Sequence, residues 1–172
     1  MEITRLTLPL FAALSNAEIE SWLRIDADQD KDTVAMLIGS ATEYCEGVTG
    51  SAIGLSNYLV ELDGIAGEYP LPIAPVQSVI KVQYRDDTGT LQDIDPAEWT
   101  FMGRSVRFSG LPAGSPIVTL EAGNDRPVAI PLALRHAIAV LVSAGFNGRE
   151  EMSEQTMRTV DRLCQQHKRF AW

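Results

Sequence analysis

Apolar residues recur along this chain with a helical period up to about residue 50, with a period of two from residue 55 to 122, and with a helical period again after residue 124. No other feature constrains the fold as strongly, because a stripe that repeats every ~3.6 residues suits a helix packed on helices and an alternating one suits a half-buried strand. The order helix, helix, β segment, helix, helix predicts an α+β fold, mainly α. It is expected to be a helical bundle made from both chain ends, with an inserted antiparallel β module of about five or six strands over 55–122.

The first helix is expected over 16–25, capped by Ser15 or Asn16 and burying Ile19, Trp22 and Leu23 at i, i+3 and i+4. A longer one over 30–48 places Val34, Leu37, Ile38, Ala41, Cys45 and Val48 in one stripe, and Gly47 and Gly50 mark its end. In the middle, Tyr58, Val60 and Leu62 share one face of a strand, and Ile80, Val82 and Tyr84 one face of another. Asp86-Asp87-Thr88-Gly89 is turn chemistry leading to a strand near 90–94, and Gly103-Arg104 fits a tight hairpin loop. Residues 117–122 supply one more strand. Pro131 then opens a helix over 131–147, and Ser153 caps a last one over 153–167 carrying Met157, Val160, Leu163 and Cys164. A tail follows at 168–172.

At 172 residues, with 45% in the hydrophobic class, the chain matches one globular domain, 1–172. The longest apolar run, 6–14, is interrupted by Thr7 and Pro9 and is far short of the ~20 residues needed to span a bilayer. With Glu2 as well as Arg5 beside it, that leader is not expected to be a signal peptide. Cys45 and Cys164 have no C-x-x-C spacing and read as reduced core thiols of a protein made in the cytoplasm. The formal charge of −9 argues against a surface that grips a polyanion. Residues 1–86 hold 13 acids and 5 bases, a net of −8, and residues 87–172 hold 10 and 9, a net of −1. The last stretch is basic, with Arg158, Arg162, Lys168 and Arg169 against Asp161. Such asymmetry concerns partners more than fold.

Catalytic and metal-binding constellations do not emerge. Asp26, Asp28, Asp30 and Asp32 begin like a calcium loop, but the glycine and the bidentate glutamate that such a loop needs are replaced by Lys31 and Leu37. Asp28 or Asp30 is expected to cap the second helix instead. His136 lies mid-helix without a second ligand at i+4, and His167 lies near the tail. Phosphate-loop and nucleophile-elbow motifs are missing, and the glycines at 47, 50 and 54 follow a helix rather than precede one. The expectation is a protein that is not an enzyme, with no catalytic residue, no metal and no cofactor. A small hydrolase or metal-binding domain is the weaker alternative. What remains is surface, above all Phe170 and Trp172 beside Lys168 and Arg169, since Trp and Arg dominate interface hot spots.

Several stretches in succession resemble one family. They are Ser15-Asn-Ala-Glu-Ile-Glu-Ser-Trp-Leu-Arg-Ile-Asp26, Asp28-Gln-Asp-Lys-Asp32 and Leu37-Ile-Gly-Ser-Ala-Thr-Glu-Tyr-Cys-Glu-Gly-Val-Thr-Gly50, followed by Tyr69-Pro-Leu-Pro72 and Pro75-Val-Gln-Ser-Val-Ile-Lys-Val-Gln-Tyr84. Asp87-Thr-Gly89, Val118-Thr-Leu-Glu-Ala-Gly123, Ile130-Pro131 and Phe146-Asn-Gly-Arg-Glu150 complete the series. Their order resembles phage head-tail connector proteins, or adaptors, of long-tailed phages and gene transfer agents. The resemblance implies a homo-oligomeric ring, a dodecamer in the particle, beneath the portal protein. That ring would join the DNA-filled head to the stopper or tail-terminator protein and continue the DNA channel without specific DNA binding and without a membrane. It would be assembled in the bacterial cytoplasm and reside in the particle neck. Carried onto this chain, Arg158, Arg162, Lys168, Arg169, Phe170 and Trp172 would form the portal-docking segment. With the acidic half facing a neighbouring subunit, Asp26, Asp28, Asp30, Asp32, Glu43 and Glu46 are the expected inter-subunit residues. A stopper or tail terminator is the structural alternative, expected to be richer in β-structure and to lack long helices flanking the insertion.

Overall fold

The structure, a computed structural model, describes residues 2–24, 30–64, 66–147 and 153–168. Its contacts group the chain into two units, one made of Met1–Leu10 and Leu55–Gly123, the other of Phe11–Gly54 and Asn124–Trp172. Among the described residues there are four α-helices and two antiparallel sheets, so the fold is α+β, with strand nearly as prominent as helix.

In the helical unit, Ser15 caps α1 (Asn16–Leu23) in a reciprocal box with Glu18, and Arg24 ends it in the left-handed region at φ 57°. Helix α2 (Lys31–Thr49) starts after Asp30 and stops at Gly50, whose φ of 67° costs a residue without Cβ nothing. Asp30 occupies the cap position but its side chain makes no cap bond, contrary to the expectation, and Asp28 lies outside the described residues. The Pro131 carbonyl accepts from Leu134 and Arg135 at the start of α3 (Leu132–Asn147). Ser153 caps α4 (Glu154–Gln165) by accepting from Thr156 N. The unit's core joins Ile19, Val34, Ile38 and Cys45 to Leu134, Ile138, Val142, Val160 and Cys164. Each fully buried aliphatic side chain contributes roughly 1.5–3 kcal/mol, and α3 supplies six of the buried residues. Trp22 departs from its predicted stripe: it is 52% exposed.

Among the described residues the β unit holds eight strands: seven fall within 55–122, where five or six were expected, and β1 comes from the N-terminal segment. Its larger sheet runs β1 (Glu2–Arg5), β2 (Ser56–Glu61), β8 (Pro116–Ala122), β4 (Val76–Arg85), β5 (Leu91–Asp93). The smaller is β3 (Glu68–Pro70), β7 (Ser105–Phe108), β6 (Trp99–Phe101). In β2, Ser56, Tyr58 and Val60 are buried and their neighbours half-buried, the period of two that the sequence predicts. Central β8, paired on both sides, is buried from Pro116 through Leu120. Alternation fails in β4. Register shifts fall between Val76 and Ser78 and between Val79 and Lys81, and Ile80, the extra residue of the second, turns outward at 53% exposure. Beyond it Val82 and Gln83 are both buried, the Gln83 amide donating to Asp93 Oδ1 at 2.6 Å.

Candidate functional site

The outer face of α2 carries Asp32, Met36, Gly39, Glu43 and Gly47, spaced so that they lie along one side of the helix. Asp32 and Glu43 are exposed, Met36 is 67% exposed, and nothing lies within 4 Å of the Cβ positions that Gly39 and Gly47 leave empty. The face is thus open at both glycines, with Met36 and Gly39 between the carboxylates of Asp32 and Glu43. Glu46 points elsewhere: its Oε1 accepts the Ile53 backbone N–H at 2.7 Å and pins the chain after α2. Asp30 is exposed beside the helix start, and Asp26 lies, like Asp28, outside the described residues.

On α4, Glu154, Arg158 and Arg162 follow one another at four-residue spacing along an exposed face, and Glu154 accepts from Arg158 at 2.5 Å. Lys168 is exposed after the helix. Arg169, Phe170 and Trp172 lie outside the described residues. The helix itself thus presents Arg158 and Arg162 together, followed by the basic end of the described chain.

A third surface was not foreseen. Between α1 and α3 lies a groove of about 300 Å³ with Leu14, Ile19 and Ala139 in its wall and Trp22, Leu132 and His136 around it. The Trp22 and His136 rings meet edge to face at 5.5 Å. Glu18 and Arg135 close one side as an ion pair, and the Arg135 Nε is buried without a hydrogen-bond partner. The Ser15 backbone N–H, the Ser15 hydroxyl and Arg135 hold the Glu18 carboxyl below the usual glutamate value, against the opposing effect of burial. Exposed Trp22 and Leu132 are the sequence signal for this groove, but periodicity assigns Trp22 to the core.

The cysteines are buried, as their stripes predict, and also touch: Cys164 Sγ lies 3.9 Å from Cys45 Sγ. Among the described residues no group of three or more His, Cys, Asp and Glu side chains could hold a metal ion, and no helix is long and apolar enough to cross a membrane. A cavity of about 500 Å³ in the β unit is bordered by Asp93, Asp95 and Glu98 with Tyr84 and Phe108, without a histidine or cysteine.

No family model and no curated protein matches the sequence. Solved structures do match. A chain of "Neck of empty GTA particle computed with C6 symmetry" superposes with a TM-score of 0.82 at 22% identity, over 100% of this chain and 97% of that one. This chain has the fold of a gene transfer agent neck protein. The same fold recurs in "Virion of native gene transfer agent (GTA) particle", at TM-score 0.82 and 20% identity. It recurs again in "Neck of native GTA particle computed with C12 symmetry", at 0.80 and 20%. Both cover 100% of this chain and 97% of the other.

Proposed function

We propose that this protein is a structural component of the neck of a gene transfer agent or tailed-phage particle, and within the neck its head-tail connector. The observation that carries the reading is the end-to-end likeness to neck chains, with a TM-score of 0.82 and no large segment left over on either side. Of the neck roles, the connector is favoured over a stopper or tail terminator by the 19-residue α2 and 16-residue α3, which flank residues 55–123 in sequence. In this role the protein does no chemistry. The helices contributed by both chain ends act as one bundle and the β unit as its insertion, in a single adaptor domain.

Copies form a ring, a dodecamer in the particle, beneath the portal. A rotationally closed ring needs two different patches on each subunit. The outer face of α2, with Asp32 and Glu43, is one such patch, and Asp26, Asp28 and Asp30, which precede that helix in sequence, are proposed to belong to it. The segment from Arg158 through Arg162 and Lys168 to Arg169, Phe170 and Trp172 docks on the portal, and the opposite side of the ring meets the stopper or terminator. A net charge of −9 suits a channel wall along which DNA slides without being gripped.

Cryo-EM of particles assembled with this chain tests the reading. The expected density is a ring of this fold on the particle axis, between the portal and the first tail ring. A single copy there, or none, overturns it.

A further inference from the structure

We propose that Cys45 and Cys164 are a latent disulfide, an oxidative modification site that staples α4 to α2. They are the chain's two cysteines, 119 residues apart in sequence, yet the fold sets their sulfurs 3.9 Å from each other in the core of the helical unit. A lone buried cysteine acts as a small hydrophobe, and the rest of this core is Val, Ile, Leu and Ala. Two thiols in contact add what those residues lack, a bond that can form between elements.

The geometry needs little adjustment. A disulfide requires about 2.0 Å between sulfurs, so the 3.9 Å gap must close by roughly 2 Å, through side-chain rotation together with a shift of α4. Of the two helices that carry the cysteines, α4 is better able than α2 to shift and to open, since only Val160 and Cys164 of its twelve residues are buried against six of nineteen in α2. Opening of this helix also admits reagent to sulfurs that are otherwise fully covered.

The chemistry is thiol–disulfide exchange with a small-molecule disulfide such as oxidised glutathione. The hydrogen bond between the sulfurs favours ionisation at Cys164, while that bond and burial push the Cys45 thiol up. Cys164 thiolate attacks one reagent sulfur, forming a mixed disulfide and releasing one glutathione thiolate. Cys45, losing its proton to solvent, attacks the Cys164 sulfur and releases the second. The protein loses two protons and two electrons, and the reagent is reduced to two thiols. A protein built in a reducing cytoplasm and working in a released particle passes from conditions that keep the pair reduced to conditions that close it. That timing rests on the neck reading above, and the chemistry does not.

The test treats the purified full chain with oxidised glutathione at neutral pH without denaturant. The expected product is a monomer lighter by two hydrogens, with a Cys45–Cys164 peptide in the non-reduced digest. Its helical unit should melt about 5–10 °C higher, reverting on reduction. Cys164→Ser should lose the shift, and reduction of the wild-type product gives the same comparison without any variant. Two free thiols after denaturation, stable glutathione adducts or disulfide-linked dimers would overturn the proposal. In particles purified before and after release, the linked peptide should appear only after release. Particles that contain the chain still reduced would overturn the timing, whereas particles lacking the chain would overturn the neck reading and leave the purified-chain result standing.

Discussion

Leu37 of α2 lies over Gly145 of α3 so closely that a Cβ built on Gly145 would stand 2.8 Å from Leu37 Cδ2. The two helices meet here through a missing methyl. Alanine at Gly145 would gain about 1 kcal/mol of helix propensity but displace the Leu37 methyl, and overpacking a core costs about 1–3 kcal/mol. Gly145→Ala is expected to change stability by less than about 1 kcal/mol, and Gly145→Val, β-branched and two methyl groups larger than alanine, to lose about 2 kcal/mol. Pairing Gly145→Ala with Leu37→Ala removes the clash, so urea unfolding of the double variant should show about 1 kcal/mol less loss than the two single changes summed.

Ser15 and Glu18 cap α1 reciprocally, and Arg135 of α3 joins them. Ser15→Ala should cost about 1 kcal/mol, measured by chemical denaturation. Because the folded Glu18 value lies below the ordinary one of 4.5, its contribution is complete above pH 4.5 and falls as pH drops through the folded value. Glu18→Gln should therefore flatten the acid limb of the stability profile below pH 4.5 while leaving its neutral-to-alkaline shape unchanged.

Asp86 organises the turn between β4 and β5, accepting from Thr88 N, Thr88 Oγ1, Thr90 N and the Gln92 amide at 2.6–3.0 Å. Those donors, led by the Thr88 hydroxyl, hold its carboxyl at about 2 instead of 3.8. Carboxyl NMR should find that midpoint. The turn's contribution is present above pH 3.8 and is lost as pH falls towards 2. Asp86→Ala should abolish exchange protection at the Thr88 and Thr90 amides at neutral pH, with the far strands β2 and β8 unaffected.

Removing residues 168–172 takes away Lys168, Arg169, Phe170 and Trp172 but none of the buried residues of α4. The truncated protein is expected to keep the full chain's circular dichroism and melting behaviour, yet to leave heads without tails in a complementation assay counted by electron microscopy. Normal tail attachment would remove this segment from the docking role.

The elements that were legible in the sequence are those whose signals are local. Ser15 and Ser153 announce caps within three residues of their partners, and the stripe from Val34 to Cys45 repeats over enough turns to name its helix. Strand β1 was hidden, because four residues carry no readable alternation and their partners, Tyr58 to Glu61, lie more than fifty positions away. The prolines at 70, 72 and 75 mask β3, whose identity as a strand comes from pairing with β7. Ile80 was misassigned because the register shift at Val79 and Lys81 depends on β8 and leaves no mark in β4 itself. The same division holds for the surfaces. Charge on α2 and α4 is a local property and was visible, whereas the groove beside Trp22 and the meeting of Cys45 with Cys164 exist only once helices distant in sequence are packed together.

Ser56 stands opposite Ala122 at one end of the β2–β8 ladder, and just beyond it Gly54 bridges Asn124. Between the two segments of the helical unit, the chain from Leu55 to Gly123 is thus a detour whose two ends are clipped together. Helices α2 and α3 are separated by a long stretch of chain, and the entropy of closing so long a loop would oppose their meeting. Once β2 has paired with β8, the effective link between the helices shrinks to the few residues flanking that clip. The β2–β8 pairing thereby shortens the chain link between α2 and α3, so a mutation deep in that pair should slow the assembly of the helical unit.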